Sequence, residues 1–171
     1  MTDLGTLSYY LGIEVRQGKE ALMLGQSTYA SKLLERSGMA ECKPCVTPME
    51  ERLKPTKAST AAKVDATLYR SIVDGRCYLV HMRPDIEFAV GYVSCFMEDP
   101  REDHWAAVKR LLRYVKGAVD QGIVFPKTGE SRLQLTVFSD ADMAGDIDGR
   151  RSTSGVLIFL SSAPISWLSL K

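Results

Sequence analysis

The sequence has little net charge and no long apolar run, and each absence excludes a class of protein. Its 22 basic and 21 acidic side chains leave a formal charge of +1, so any nucleic-acid binding must come from local patches. No stretch approaches the apolar length of a membrane span, which predicts no membrane partner. The N-terminus, MTDLGTLSYYLG, has neither a basic start nor a continuous apolar run. We therefore expect no signal peptide and an intracellular protein.

Cysteine and histidine are too few and too scattered to predict a zinc site or a catalytic triad. The four cysteines include one C-x-x-C pair, Cys42 and Cys45, whereas zinc needs four converging ligands. The nearest further candidates, Cys77 and His81, fall within one predicted helix. No serine has a plausible histidine and aspartate around it, and no glycine-rich phosphate loop occurs. Acyl transfer and nucleotide-dependent phosphoryl transfer are therefore disfavoured.

What is present is an ordinary globular composition, divided into regions of different periodicity. With 171 residues, 45% of them hydrophobic, the chain can bury a core. Residues 1–49 begin with two β-rich runs around residues 17–20, which predict a hairpin, and Ser27 is a suitable N-cap for a helix reaching Ser37. Residues 50–65 are rich in Lys, Pro, Ser, Thr and Ala, with almost nothing apolar, and predict a surface connector.

Residues 66–117 have helical periodicity and predict a bundle of three helices. Asp65 is the predicted cap of the first helix, while Pro84 and Pro100 stand at the starts of the second and third, where a missing N–H costs little. The third helix carries the clearest apolar stripe, and the short links predict antiparallel packing. The side chains expected to be buried in the first and third helices are Leu68, Ile72, Leu79, Trp105, Val108, Leu111, Leu112 and Val115.

Residues 122–171 change to a pattern typical of strands. Apolar runs separated by turn-rich segments predict a partial antiparallel sheet from residues 123–125, 133–138, 156–160 and 165–167. The whole pattern is typical of the α+β class. It combines an N-terminal β-hairpin and helix, a central three-helix bundle and a C-terminal partial antiparallel sheet.

An acidic run at the end of one predicted strand is the most informative local pattern. Asp140 and Asp142 would share a face if the strand continues through them, and Asp146 and Asp148 follow. Close carboxylates repel one another unless a cation neutralises them, which favours a hard divalent ion such as Mg²⁺. Two such ions about 4 Å apart can activate water in phosphodiester hydrolysis. A solvated turn remains the alternative, because Asp and Gly are common in turns.

Two groups of basic side chains are candidates for phosphate contacts. Those on the third predicted helix lie away from its apolar stripe, although every amphipathic helix has a charged face, so an ordinary solvated face remains the alternative. The pair beside the acidic run is open to the same two interpretations. The side chains are Lys109, Arg110, Arg113 and Lys116 on the helix, and Arg150 and Arg151 after the acidic run.

Taken in chain order, these segments resemble the reverse transcriptase and ribonuclease H region of copia-type LTR retrotransposon Pol polyproteins. The matching stretches cover nearly the whole chain and are DLGTLSYYLGIEV, QSTYASKLLERSGM, TPM, LYRSIV, MRPDIEFAVGYVS, HWAAVKRLLRYVKG, FSDADMAGDIDGRRSTSG and PISW. The resemblance implies that residues 1–49 are the end of the polymerase palm. It likewise implies that residues 66–117 are the helical thumb, and residues 122–171 a truncated ribonuclease H-like sheet.

The resemblance also implies roles for particular residues. The basic helix face would contact template–primer duplex or RNA–DNA hybrid in the parent polyprotein. Asp140 matches the first catalytic, metal-binding aspartate of ribonuclease H, and Asp142 belongs to the same motif. The parent would be an RNA-directed DNA polymerase and Mg²⁺-dependent hybrid nuclease, working in the cytoplasm, a virus-like particle or the nucleus.

Several features of the family are missing from this sequence. They are the polymerase's paired aspartates and the Ser-Ser-x-Glu-Ala-Glu-Tyr segment with its catalytic glutamate. We therefore expect the chain to bind no Mg²⁺ and to be inactive alone. The alternative is a retained, non-enzymatic module, host or pathogen encoded, that binds nucleic acid or protein.

Two further expectations concern departures from the family. Asp74, Gly75 and Arg76 replace a small, apolar-leaning stretch, and Arg76 either extends its charge to solvent or marks a decayed position. A three-stranded ribonuclease H opening without its helices would expose an apolar face and an unpaired strand edge. We expect self-association through that edge.

Overall fold

The computed structural model describes residues 5–50, 55–127 and 133–171, which form two antiparallel sheets and a helical core. Parts of the predicted palm segment, connector and C-terminal sheet, namely residues 1–4, 51–54 and 128–132, lie outside the described residues. The strands are β1 Tyr9–Tyr10, β2 Ile13–Gln17, β3 Ala21–Gly25, β4 Gly122–Pro126, β5 Leu135–Ala141, β6 Ser154–Leu160 and β7 Ala163–Leu170. The helices are α1 Ser27–Arg36, α2 Ala66–Leu79, α3 Glu87–Ser94 and α4 Glu102–Gly117, with 3₁₀ turns at Val80–Met82 and Pro84–Ile86. The α+β class is confirmed.

The first sheet has the order β1-β2-β3-β4 and pairs the three N-terminal strands with the strand that follows the helices. The hairpin predicted around residues 17–20 is confirmed by the antiparallel pairing of β2 with β3. The strand predicted at residues 123–125 exists, but its assignment to the C-terminal sheet is wrong, because β4 pairs with β3. Gly122 lies opposite Gly25, where an added Cβ on Gly122 would collide with the Leu24 carbonyl. This close backbone approach requires glycine.

The start of α1 differs from the prediction that Ser27 caps it. Gln26 occupies the N-cap position without a side-chain cap bond, and Ser27 is already helical. The Glu14 carboxylate accepts a hydrogen bond from the Thr28 N–H at 2.7 Å, so β2 supplies the acceptor that a cap residue normally provides. This hydrogen bond lowers the pKa of Glu14 below its ordinary value. A partner 14 residues away cannot be identified from a local capping pattern.

The predicted helices of the bundle are present, with changes at their ends. Asp65 caps α2 as predicted, accepting from the Thr67 and Leu68 N–H groups at 2.8 and 3.3 Å. Leu68 itself is 44% exposed, so its predicted burial is wrong. It lies in the first turn of α2, where Tyr69 points inward instead, and Ile72 does so in the next turn. The helix predicted to start at Pro84 begins there as a 3₁₀ turn and continues as α3. The helix predicted to start at Pro100 is α4, which begins after Arg101.

The hydrophobic core lies among the four helices. The stripe predicted on α4 is buried except for Trp105, which is half-buried. Three side chains of α1 also enter this core, which ties the N-terminal region to the bundle. The largest contributions come from Leu33, Leu34, Tyr69, Ile72, Val73, Leu79, Ile86, Val90, Val93, Phe96, Val108, Leu111, Leu112 and Val115.

The second sheet has the order β5-β6-β7 and one face against α3. The Trp167 indole Nε1 donates to the Val80 carbonyl at 2.9 Å, and the Ser169 N–H donates to the Glu87 carboxylate at 3.4 Å. The opposite face remains in solvent, where Leu135 and Val137 are 63% and 56% exposed. The helix-facing side of this sheet therefore forms one wall of a cleft.

No helix among the described residues is long and apolar enough to cross a membrane.

Candidate functional site

Strand β5 carries Asp140 to its end and leaves Asp142 just beyond it. Asp140 pairs with Gly155 in the β5-β6 register, and the strand ends at Ala141. The Asp142 N–H still donates to the Thr153 carbonyl at 3.0 Å, so the strand-like pairing continues to Asp142 and the two aspartates stand at alternate positions, on the same face. Both line the cleft between this sheet and α3. Asp140 and Asp142 therefore lie at the end of a strand and on the same side of the sheet, as the sequence predicts.

The Asp142 carboxylate holds the β5-β6 loop closed. Its Oδ1 atom accepts hydrogen bonds from the backbone N–H groups of Gly145 and Thr153 at 3.3 and 2.8 Å. These bonds join both ends of the loop to one oxygen atom. A metal ion would have to compete with them for that oxygen, so the geometry assigns Asp142 a role in loop structure.

The two later aspartates of the acidic run are also engaged elsewhere. Asp146 forms an ion pair with the Lys171 ammonium at 2.7 Å and accepts the Gly149 N–H at 2.9 Å. The Lys171 hydrogen bond lowers the pKa of Asp146. Asp148 accepts the Lys57 N–H at 2.8 Å together with the Thr56 hydroxyl. Each carboxylate therefore stabilises a different part of the chain.

Asp140 is the most available carboxylate of the run. It is exposed, and its Oδ1 atom accepts the N–H of the following Ala141 at 2.8 Å. Across the described ranges, no three His, Cys, Asp or Glu side chains come together to hold a metal ion. A pair of Mg²⁺ ions needs several converging oxygen ligands in a defined geometry. The residues present do not fit such a pair.

The cleft beside Asp140 has a volume of about 810 Å³, an apolar floor and an acidic rim. Phe88 from α3 faces Phe138 and Trp167 from the sheet across it. Asp85 and Glu87 add two carboxylates, which no pattern in the sequence connects with Asp140. Asp85 is paired with Arg83, but Glu87, Asp140 and Asp142 have no ion-pair partner among the described residues, so their charges disfavour the approach of a phosphate. No sequence signal indicates this meeting, because the α3 and β5 segments are distant in the chain.

An ion pair with a buried arginine ties the turn before α3 to the end of α4. The Arg83 side chain is 5% exposed and donates to both Asp85 oxygens at 2.9 and 2.8 Å, while its third contact is the Ala118 carbonyl at 2.7 Å. The Tyr114 hydroxyl donates to Asp85 at 2.8 Å. Burial raises the pKa of Asp85, but the hydrogen bonds and charge of Arg83 outweigh it, so the pKa lies below its ordinary value.

The basic side chains predicted on α4 divide into two pairs with different partners. Arg110 forms an ion pair with Glu50 at 2.6 Å and donates to the Thr47 hydroxyl at 2.8 Å, while Arg113 donates to the Lys43 carbonyl at 2.8 Å. These contacts hold the segment 43–50 against α4. Helical spacing predicts which residues share a face, but not which other segment covers that face.

The other basic candidates remain exposed. The Lys109 ammonium lies 6.0 Å from the centre of the Trp105 ring, and Lys116 is exposed in the last turn of α4. Arg150 and Arg151 are exposed in the β5-β6 loop, where their backbone groups bond to those of Asp146. The surface available for phosphates is therefore smaller than the sequence suggests.

Comparisons with known proteins show the class of protein to which this chain is related. The family described as reverse transcriptase (RNA-dependent DNA polymerase) matches residues 1–51. The retrovirus-related Pol polyprotein from transposon RE2 of Arabidopsis thaliana is 45% identical over 165 residues, which are 96% of this chain and 11% of that protein. The chain belongs to the Pol polyproteins of copia-type retrotransposons and corresponds to a part containing reverse transcriptase sequence.

Shorter relatives contain much the same region. An uncharacterized mitochondrial protein of Arabidopsis thaliana is 41% identical over 98% of this chain and 68% of its own length. A secreted RxLR effector protein of Plasmopara viticola is 45% identical over 60% of this chain and 72% of its own length. No solved structure matches the chain. The region thus occurs both inside long polyproteins and in proteins of similar size to this chain.

Proposed function

We propose that this chain is a nucleic-acid-contacting, non-catalytic part of a Pol polyprotein, which meets template–primer duplex or RNA–DNA hybrid through its exposed basic side chains. The observation that carries the proposal is that the four aspartates of the acidic run have different partners. Three of them bond to other parts of the chain, whereas the exposed Asp140 carboxylate bonds only to the N–H of the next residue. A lone carboxylate binds Mg²⁺ weakly. Metal-dependent hydrolysis then requires ligands from elsewhere in the parent.

The exposed lysines of α4 support duplex contact. Lys109 and Lys116 have no ion-pair partner among the described residues, whereas Arg110 and Arg113 hold segment 43–50. A lysine that neutralises a phosphate releases counterions from the duplex. The logarithm of the binding constant therefore falls linearly with the logarithm of the salt concentration. We expect weak, salt-dependent binding that does not depend on base sequence.

A binding titration across salt concentrations tests this role. Reversing both charges with Lys109→Glu and Lys116→Glu should make the salt slope shallower by about 2, since each phosphate contact contributes about 0.9. Lys19→Glu with Lys32→Glu is a matched control, because both lysines are exposed and the net charge changes equally. Equal effects of the two pairs would reject a specific α4 surface.

A cleavage assay tests the absence of catalysis separately. We expect no Mg²⁺-dependent hydrolysis of an RNA–DNA hybrid by this chain. The Asp140→Asn variant should likewise show no hydrolysis, and it should bind the duplex with the same affinity as the wild type. Robust cleavage that Asp140→Asn abolishes would overturn the proposal.

A second candidate function is supported by the short relatives. Their lengths favour a retained module that works without the rest of a polyprotein. Such a module should bind its target far more tightly than the roughly 10⁻⁴–10⁻⁶ M typical of non-specific nucleic-acid binding at physiological salt. Submicromolar binding that ignores both salt and the α4 lysines would favour this candidate with a protein target.

A further inference from the structure

The segment 43–50 lies along the basic side of α4, and its backbone is held near both ends. The Cys45 N–H donates to the Arg113 carbonyl at 3.3 Å, and the Arg113 Nε donates back to the Lys43 carbonyl at 2.8 Å. Further along the segment, the Met49 side chain packs against the hydrophobic core. The path of this backbone over α4 is therefore fixed, and only the side chains that extend from it are free to rotate.

One of those side chains, Glu50, occupies part of the Arg110 guanidinium. Its Oε1 atom accepts from the Arg110 Nη1 at 2.6 Å, in an ion pair whose glutamate side chain is 54% exposed. The Arg110 Nη2 donates to the Thr47 hydroxyl at 2.8 Å, and its Nε has no hydrogen-bond partner among the described residues. A guanidinium can bind an oxyanion through two parallel hydrogen bonds, and Glu50 uses only one of its donors.

Arg110 stands beside exposed cations on the same helix and on the covering segment. Lys109 precedes it on α4, and Lys116 lies about 9 Å further along the axis at a rise of about 1.5 Å per residue. Lys43, at the start of the covering segment, is exposed as well. A carboxylate beside such cations lowers the positive potential that attracts a phosphate backbone. Glu50 therefore weakens this surface both through its own charge and by occupying Arg110.

We propose that Glu50 is an acidic cover of the duplex-binding surface, which occupies Arg110 in the free chain and is displaced by a phosphate of the bound duplex. The inference rests on the proposed function, because it concerns regulation of the same α4 surface. Displacement requires only a rotation of the Glu50 side chain, since the backbone of segment 43–50 stays in place. Water and salt screen an exposed ion pair, so the cover is weak enough to be displaced.

Phosphate is a better partner for Arg110 than the Glu50 carboxylate. It has several acceptor oxygens and can bond to two guanidinium N–H groups at once, whereas Glu50 is bonded to one. A duplex held by Lys109 and Lys116 also presents its neighbouring phosphates to Arg110 at a high effective concentration. The exposed lysines therefore make the first contacts, and Arg110 adds a further contact once the cover is displaced.

A duplex titration of the intact chain across salt concentrations is the first test. Glu50→Gln removes the charge and keeps the shape. We expect it to bind duplex about threefold tighter and to steepen the salt slope by about 0.9, the contribution of one further phosphate contact. Glu35→Gln is the matched control, because Glu35 is exposed on α1 and has no ion-pair partner among the described residues. Equal effects of the two substitutions would overturn the proposal.

A double-mutant cycle with Arg110 shows whether this arginine is the group that Glu50 covers. In an Arg110→Gln background no guanidinium remains to be exposed. Adding Glu50→Gln there should change the salt slope no more than Glu35→Gln does. Circular dichroism checks that the variants remain folded. An undiminished effect of Glu50→Gln without Arg110 would mean that Glu50 acts only through its general charge, and would overturn the proposal.

A titration with inorganic phosphate separates this proposal from the duplex-binding role. NMR of the arginine Nε–H groups should show the Arg110 signal shifting at a lower phosphate concentration in Glu50→Gln than in the wild type. The signal of Arg70, which is exposed on α2 and donates to the Met97 carbonyl, should respond equally in both proteins. If neither protein binds duplex, the proposed function fails while the Arg110 signal still decides whether Glu50 competes with phosphate. Identical Arg110 titrations in the two proteins would overturn the proposal.

Discussion

Arg76 is a charged side chain fully enclosed by the helical core. It is 0% exposed, and its one hydrogen bond runs from a terminal nitrogen to the Val108 carbonyl at 3.3 Å. Its Nε and other terminal nitrogen have no hydrogen-bond partner within the described ranges. Burial lowers the pKa of the guanidinium to about 9, so it remains charged at neutral pH. The expectation that this arginine extends to solvent is wrong, because α4 covers it.

Arg76→Met should stabilise the protein. Replacing a buried charge that lacks an ionic partner with an apolar side chain of similar length removes its desolvation cost, and we expect a gain of about 2 kcal/mol. Urea denaturation measures the free energy of unfolding. Arg70→Met is the control, since Arg70 lies on the same helix but is exposed and donates to the Met97 carbonyl. A loss of stability in Arg76→Met would show that the guanidinium has a partner in solution.

Asp85 makes the stability of the helical junction depend on pH. In the folded protein the pKa of Asp85 lies below its ordinary value. The ion pair with Arg83 therefore contributes its full stabilisation of the fold at pH values above about 4, the pKa of an aspartate in the unfolded chain. This contribution is lost as the pH falls through the folded pKa. Asp85→Asn should therefore cost about 2 kcal/mol at neutral pH, and the difference from wild type should vanish in acid.

The matched control for this residue is Asp99→Asn. Asp99 also pairs with an arginine, Arg101, at 2.6 Å, but its side chain is half exposed to solvent. Exposed pairs contribute little because water and salt screen them. A pH-independent cost of Asp85→Asn would show that shape rather than charge determines its role.

At the level of elements, the β3-β4 pairing depends on one glycine. Gly122→Ala places a methyl group against the Leu24 carbonyl, which is backbone and cannot rotate away. We expect a loss of about 3 kcal/mol or more, as for other forced backbone shifts. Gly91→Ala is the control, because Gly91 lies in α3 with nothing within 4 Å of an added Cβ. It should stabilise by about 0.5–1 kcal/mol, since alanine favours helices. Chemical denaturation of both variants distinguishes these outcomes.

Local signals in the sequence predict most elements, but not how they meet. The Asp65 cap, the α4 stripe and the hairpin at residues 17–20 each depend on neighbours within a few positions, and all three are present. The partner of β4 lies about 100 residues earlier in the chain. Periodicity identifies a strand without identifying its neighbour, so the predicted sheet membership failed.

The same limit applies to the candidate site. The position of Asp140 at a strand end follows from an apolar run that stops there, and the structure has it. The bonds of Asp146 to Lys171 and of Asp148 to Lys57 join residues distant in sequence. The pairing of Arg110 with Glu50 is equally remote. Charge patterns therefore overestimate how many of these groups are free to bind a ligand.

On the scale of the whole molecule, the two sheets differ in how firmly they are supported. Strand β5 is exposed on both faces. The hydrogen bonds of the second sheet to the helical region include those from Trp167 to Val80 in the 3₁₀ turn and from Ser169 to Glu87 of α3. The helical core contains most of the buried apolar side chains. Regions with few buried contacts open at lower free energy than the core. The C-terminal sheet should therefore unfold first.

Tryptophan fluorescence checks this order. The chain has two tryptophans, one near the core and one in the sheet, so Trp105→Phe leaves Trp167 as the sole reporter of the sheet. In urea, its fluorescence transition should precede the loss of helical circular dichroism measured on the same sample. Coincident transitions would mean that the sheet and helices unfold as one unit.

From the β3-β4 contact we expect the molecule to form even when its backbone is interrupted between residues 50 and 51. The first three strands and α1 are held by hydrogen bonds to β4 and by burial against the helices, both of which come from beyond residue 65. Two separate polypeptides, residues 1–50 and 51–171, should therefore assemble when they are produced together in one cell. Copurification of the untagged piece with the tagged one would show that residues 1–50 and 51–171 assemble without a covalent link between them.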